Sequence, residues 1–395
     1  MTIGTRTAGT ALAMTIASGM IAFAQNGTPL NPDSKNVLTV AVYGDAPYGL
    51  TPTDTTETDA TAAFIETVNR DPKVDLIIHT GDIHSGKQYC TEAYDLEIAQ
   101  LWQGFKNPLM YTPGDNEWTD CHKAGEGGHV HVNGVPVAYA DGDPLANLAL
   151  VRSIFFPRPG VSLGGRKKQL LSQALDYDPA YPADAEYVEN VMWEQSKVLF
   201  VMLNVPGGSN NAADNWFGAP RTAAQTDEIA RRTAADLRWL DAAFAQATHD
   251  GAEAVLIDLQ ADMWDLDSKA VAHLSNYEAF IASIASHALA FKKPVLLING
   301  DSHHYRSDNP LKAGQPCEFE SGADTVDCLT IPAAVDFTPD AWNNHPSYDV
   351  PNFHRLVVHG STVPLEWLRL TITPGATAVP SGTGFGPFTW ERVVP

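Results

Sequence analysis

Aspartates recur in this chain where short apolar runs end, and that spacing is the pattern best suited to chemistry. The segments are Val40-Ala41-Val42-Tyr43-Gly44-Asp45, Leu76-Ile77-Ile78-His79-Thr80-Gly81-Asp82-Ile83-His84, Leu109-Met110-Tyr111-Thr112-Pro113-Gly114-Asp115-Asn116-Glu117 and Val295-Leu296-Leu297-Ile298-Asn299-Gly300-Asp301-Ser302-His303-His304. A buried strand ending in Gly-Asp delivers a carboxylate to the carboxyl edge of a sheet, where open α/β folds gather ligands and metals. Four such ends brought together would form one acidic site able to hold cations. A single Gly-Asp after a strand is an ordinary tight turn, so the weight lies in the recurrence.

The elements that must position these turns alternate along the chain. Val-, Ile- and Leu-rich runs at 37–44, 74–80, 108–112, 253–259 and 294–299 lack strict alternation, which predicts strands covered on both faces. Between them lie helix candidates: Thr58 to Arg70 follows a Thr/Asp cluster suited to capping, Thr91 to Lys106 repeats apolar residues at helical spacing, and Thr222 to Thr248 is long and Ala-rich. Tyr187 to Val205 reads as a hairpin broken at Glu194-Gln195-Ser196, and Phe353 to Val358, Trp367 to Thr373 and Phe388 to Val393 read as later strands. Cys121 to Asp143, rich in Gly, His and Asp, reads as a long functional excursion. No repeat or interdomain linker is visible, so one domain with a mixed sheet or two packed sheets is expected over residues 25–395.

The 395 residues are 44% hydrophobic and 18% charged, with a formal charge of −22, which excludes broad binding to nucleic-acid phosphates. Arg166-Lys167-Lys168 is the only basic triplet and reads as a solvated loop. The first 24 residues place Arg6 before an apolar, small-residue run closing on Ala22-Phe23-Ala24, the layout of a signal peptide cleaved before Gln25. Residues such as Thr10, Thr15, Ser18 and Gly19 argue against a stable spanning anchor. A secreted or periplasmic location follows, and there four cysteines without a Cys-x-x-Cys pair favour two disulfides. Cys90 with Cys121 and Cys317 with Cys328 are the expected pairs.

In order and spacing, these motifs resemble the calcineurin-like metallophosphoesterases, whose pattern runs Asp-x-His, Gly-Asp, Gly-Asn-His-Asp/Glu, a lone His, then Gly-His-x-His. The resemblance implies a two-sheet α/β/β/α sandwich and a phosphoester hydrolase. Asp45 matches the first aspartate, with Pro47 in the histidine position. Gly81-Asp82 matches the family's metal-bridging aspartate. Asp115 and Asn116 fall in the asparagine and histidine positions of the third motif, or Asn116 itself is the ligand after a one-residue slip. Gln260, or alternatively Asp262, stands at the lone histidine. Asp301 replaces the first histidine of the last motif and His303 retains the second.

Nitrogen ligands are thus repeatedly exchanged for oxygen or lost. A metal set of Asp45, Asp82, Asp115, Gln260, Asp301 and His303 is harder than the family norm and favours Mg, Mn or Ca over Zn or Fe, with one or two divalent ions bound. Asn116 cannot donate a proton at neutral pH, which leaves His84, His304 and His122 as substitutes by position, with Lys87 able to neutralise a phosphate. The implied partner is a small phosphate ester. The alternative reading, supported by the loss of several ligand histidines, is a non-catalytic metal- or ligand-binding protein on the same scaffold. His129-Val130-His131 could place two imidazoles on one strand face, although two histidines alone more often mark a solvated loop. Trp118, Trp216 and Trp264 read as packing, and no nucleophile elbow, phosphate-cradling loop or dinucleotide fingerprint occurs.

Overall fold

The parallel strands Leu38–Tyr43, Val74–His79 and Pro108–Tyr111 carry the first three aspartate turns at their carboxyl ends. The structure, a computed structural model, describes residues 36–218, 220–265, 275–322, 324–328, 348–360 and 365–394. The expected signal peptide lies outside the described residues. A second parallel set, Val198–Met202, Ala254–Asp258, Val295–Asn299 and Phe353–Val357, carries the positions of Gln260 and Asp301. Trp367–Ile372 pairs antiparallel with Leu38–Tyr43, completing an eight-stranded sheet that faces a nine-stranded one.

Alternation within each strand explains the layering, because successive side chains point to opposite faces. Val40, Val42, Leu76, Ile78 and Met110 meet Phe200, Met202, Leu256, Leu296 and Ile298 in the layer between the sheets. Ala41, Tyr43, Ile77, Leu109 and Tyr111 instead pack outward on Phe64, Ile65, Ile98 and Trp102 of the helices Thr56–Arg70 and Glu92–Trp102. On the far side, Leu199, Val201, Val255, Ile257 and Leu297 pack on the helices Ala223–Asp250 and Glu278–Phe291. Each fully buried Leu or Ile contributes about 1.5–3 kcal/mol, so three continuous apolar layers hold both sheets rigid. The result is the expected α/β/β/α sandwich.

The local expectations fare unevenly. The hairpin forms as Val191–Gln195 and Val198–Met202, turning through Ser196 and Lys197, both at positive φ as a two-residue hairpin turn requires. The Thr91 side chain caps the second helix, which ends at Trp102 rather than continuing to Lys106. Gly104 disfavours a further turn, and Phe105 folds back into the core. Both disulfides join the expected pairs, with Cα separations of 5.7 Å for Cys90–Cys121 and 5.4 Å for Cys317–Cys328. The excursion holds short 3-10 turns and a hairpin of His131–Val132 with Val135–Pro136, so His129 lies outside any strand. Among the described residues no helix is long and apolar enough to cross a membrane.

Candidate metal centre

Both sets of parallel strands end at the same rim, and their turns interlock there. The Asp45 N–H donates to the Gly81 carbonyl at 2.9 Å and the Ala46 N–H to the Asp82 carbonyl at 3.1 Å, locking the first two turns together. Asp45, Asp82, Asp301 and His303 all adopt positive φ (49°, 58°, 75° and 61°), a strained backbone that clusters at functional sites. Close approach also demands glycine, since a Cβ on Gly114 would stand 1.9 Å from Asp82 Oδ1. Across the sheets, the Asp301 N–H donates to Asp45 Oδ1 at 2.9 Å, joining the first turn to the last.

The side chains converge within this frame. One oxygen each of Asp45 and Asp82 and one ring nitrogen of His303 lie within 4.8 Å of one another. Tyr48, not foreseen as a site residue, donates to Asp82 Oδ2 at 2.8 Å and stands 3.3 Å from His303 Nε2. It lies just after Pro47, which supplies no ligand, and a tyrosine three residues beyond the first aspartate was the available signal. Asn116 joins this cluster, donating from Nδ2 to Asp82 Oδ2 and to the Tyr48 oxygen at 3.1 and 3.0 Å. Asp115 and Asp301 approach one point, since a Cβ on Gly207 would lie 2.7 and 2.6 Å from their oxygens.

Gln260, rather than Asp262, occupies the centre. Its amide nitrogen donates to Asp82 Oδ2 at 3.2 Å and Asp115 Oδ1 at 3.1 Å, and its oxygen accepts from the Gly207 N–H. In this arrangement it bridges carboxylates as a donor instead of offering oxygen to a cation. Asp262 is drawn away by Arg355 Nη1 at 2.5 Å and contributes its N–H to Asp301 Oδ2 at 3.1 Å. A left-handed turn through Gly208, Ser209, Asn210 and Asn211 backs the site, pinned by the buried Arg232 on Asn210 Oδ1 at 2.6 Å. The Gly-Gly and Asn-Asn pairs of that turn were its sequence signal.

The remaining expected groups make other contacts. His84 is fully buried, its Nδ1 on the Ser85 carbonyl at 3.2 Å and its ring edge-on to Tyr94, and burial lowers its pKa to about 4. It is packed beneath the rim, not within the centre. His122 donates to the Thr119 carbonyl, and Lys87 is exposed. His304 is half-exposed, with Nδ1 donating to Glu320 Oε1 at 2.8 Å; Glu320 also meets His359 Nε2 at 2.6 Å. Although burial opposes it, the two imidazoles lower the Glu320 pKa to about 2, so it stays a carboxylate.

Electrostatics mark the centre as cation-seeking. Burial raises the Asp45 and Asp82 carboxyls well above the usual range, and surrounding carboxylates push the same way. No Lys or Arg is among the groups acting most strongly on either. Asp45 Oδ2 is buried without a hydrogen bond. Packed carboxylates left without a counter-charge are costly, and the donor set of Asp45, Asp82 and His303 fits a divalent ion.

The model of the calcineurin-like phosphoesterase family matches residues 38–238, just over half of the 395. The chain belongs to the calcineurin-like phosphoesterase family. Among solved structures, this family member is similar to the purple acid phosphatase PPD1 from yellow lupin (Lupinus luteus) seeds, with 10% identity and a TM-score of 0.40. That match covers 91% of this phosphoesterase-family chain and 54% of the lupin one, so the chain spans about half the length of that structure. A comparison with curated proteins found no match.

Proposed function

We propose that this protein is an exported, metal-dependent phosphoesterase acting on a small phosphate ester. The observation that carries the reading is the convergence of buried Asp45 and Asp82 with His303, with further carboxylates and no guanidinium or ammonium among the groups acting most strongly on the two aspartates. Family membership supports the reaction class, and the leader-like first 24 residues with two disulfides support export.

Asp45, Asp82 and His303 would hold one divalent ion, which when bound supplies an activated water and a Lewis acid for phosphate oxygen. The chain's own groups do the positioning. The Tyr48 hydroxyl and the Asn116 amide stand over Asp82 as donors, placed to bind a phosphate oxygen and to fix its direction. His304, whose Nδ1 donates to the Glu320 carboxylate, would supply the leaving oxygen's proton as the imidazolium that this carboxylate favours. Gln260 neutralises part of the repulsion between Asp82 and Asp115 through its amide N–H groups.

A second reading has two ions, favoured by the approach of Asp115 and Asp301 to one point beside Gly207. Elemental mass spectrometry of the purified mature protein decides between them, run beside hydrolysis of p-nitrophenyl phosphate and bis-p-nitrophenyl phosphate with Mg, Mn, Ca and Zn. One ion with metal-dependent turnover supports the first reading and two the second. Bound metal without turnover under every supplement would replace both with a binding protein on this scaffold.

A further inference from the structure

The loop that leaves Asp82 and the turn that carries Asp115 and Asn116 are joined twice, once by a covalent bond and once through the centre itself. The covalent joint is the Cys90–Cys121 disulfide, which is buried against the third turn. Its two sulfurs lie 3.4 and 3.5 Å from a single atom, the Asn116 carbonyl oxygen. On its other side the same residue holds Asp82, the Asn116 N–H donating to Oδ1 and Nδ2 to Oδ2, both at 3.1 Å. We propose that the Cys90–Cys121 disulfide is a positioning group for the metal centre, which fixes the Asn116 amide over Asp82 and thereby sets the rate of hydrolysis. This inference rests on the hydrolase reading given above.

Three observations carry it. First, the connections form a closed ring: from Asp82 along the chain to Cys90, across the disulfide, back from Cys121 to Asn116, and across the Asn116 hydrogen bonds to Asp82. Both chain arms are short, so a covalent closure at one end restricts how far the hydrogen-bonded end can open.

Second, the arms are stiff. The Asp115 carbonyl accepts from the Trp118 and Asp120 N–H groups at 3.3 and 3.0 Å and from Thr119 Oγ1 at 3.2 Å, closing the turn that leads into Cys121. On the other arm, Gln88 Oε1 accepts from the Ser85 and Gly49 N–H groups at 3.1 and 2.7 Å. Cys90 is itself fixed, its N–H donating to the Glu126 carbonyl at 3.0 Å and its carbonyl accepting from the Tyr139 N–H at 2.8 Å.

Third, the contact falls on the residue that carries the donors. Asn116 Nδ2 also donates to the Tyr48 oxygen at 3.0 Å, so a shift of the Asn116 backbone would disturb both donors that stand over Asp82. Catalytic groups must be held to about 0.5 Å, and a misplacement of about 1 Å can cost roughly 10^2-fold in rate.

The competing account is a cross-link that only adds stability to the fold. A double-mutant cycle on the full mature chain separates the two, read by hydrolysis of p-nitrophenyl phosphate, metal content and the NMR signal of the Asn116 side-chain amide. Removing the disulfide by Cys90→Ala with Cys121→Ala should lower kcat about tenfold at unchanged KM and metal content. In an Asn116→Ala background the same change should cost about twofold at most, because the group being positioned is gone. Equal losses in both backgrounds, or no loss in either, would overturn the proposal. Where the double variant does not fold, phosphine reduction of the folded wild type in the cold supplies the same comparison. The amide signal, identified by its absence from Asn116→Ala, should move when the disulfide is broken, and an unmoved signal also overturns the proposal. That signal needs no turnover. In a chain that hydrolyses nothing, the hydrolase reading fails by itself and the signal still decides whether the disulfide positions Asn116.

Discussion

Asp262 and Asp308 meet the guanidinium of Arg355 at 2.5 and 2.8 Å with all three side chains fully buried. A few ångströms away, joined through the Asp262 N–H on Asp301, Asp45 and Asp82 are equally buried but surrounded mainly by other carboxylates. The same fold therefore neutralises one set of buried charges internally and leaves the other with no guanidinium or ammonium among its strongest neighbours. Internal pairing makes scaffold, because its charges are already satisfied. The carboxylates of the rim have electrostatic free energy to give to a ligand, which is what a metal centre requires.

The comparison can be broken most forcefully at Asp82. Asp82→Ala should remove the bound divalent ion and cut phosphoester hydrolysis by about 10^4-fold, roughly 5.5 kcal/mol of transition-state stabilisation. Undiminished metal content in the folded variant would remove Asp82 from the centre. At the paired cluster, Arg355→Met should leave two buried carboxylates unmatched and cost about 3–5 kcal/mol of stability in denaturant unfolding. The contrasting change, Asp45→Asn in metal-free protein at pH 7, should raise the melting temperature; a large loss there would erase the distinction between the clusters.

Metal itself should stabilise the fold. At a free concentration one hundred times Kd the gain should be about 2.7 kcal/mol, read as a rise in Tm that Asp82→Ala abolishes. Tyr48→Phe removes one donor while keeping the ring, so turnover should fall about fivefold, roughly 1 kcal/mol, at unchanged metal stoichiometry.

A pH dependence is also expected, from His79 beneath the rim. Its Nε2 donates to the Ala46 carbonyl at 2.9 Å and its Nδ1 accepts from the Gly81 N–H at 3.2 Å, an arrangement only a neutral ring satisfies. Burial lowers its pKa from 6.5 to about 4. The unfolded chain therefore takes up a proton first as pH falls, so this contribution to stability is full above pH 6.5 and declines toward pH 4. His79→Gln should flatten that part of the Tm–pH curve, and an unchanged slope would exclude His79 as its source.

Much of this organisation was legible along the chain. Apolar runs of strand length, capped helix starts and Gly-Asp turns are local signals. They announced the alternating elements, the aspartate positions and, with the pairing expected in an oxidising compartment, both disulfides. Tyr48, the left-handed turn after Gly207 and Glu320 beside His304 escaped notice because their roles depend on distances across both sheets. His84 failed as a rim residue for the reverse reason. It follows Asp82 by two positions, yet the turn drives its ring under Tyr94.

The sequence by itself determined which chemistry was available: hard oxygen donors at strand ends, one retained imidazole and few basic groups to compete with a cation. Only the tertiary structure decided how those donors were used. It turned Gln260 into a hydrogen-bond bridge, gave Asp262 to Arg355 and set the Cys90–Cys121 disulfide against the Asn116 carbonyl. Local residue type sets what a side chain can bind, but charge pairing and lone-pair direction are settled by partners tens or hundreds of residues away, which the chain meets only on folding.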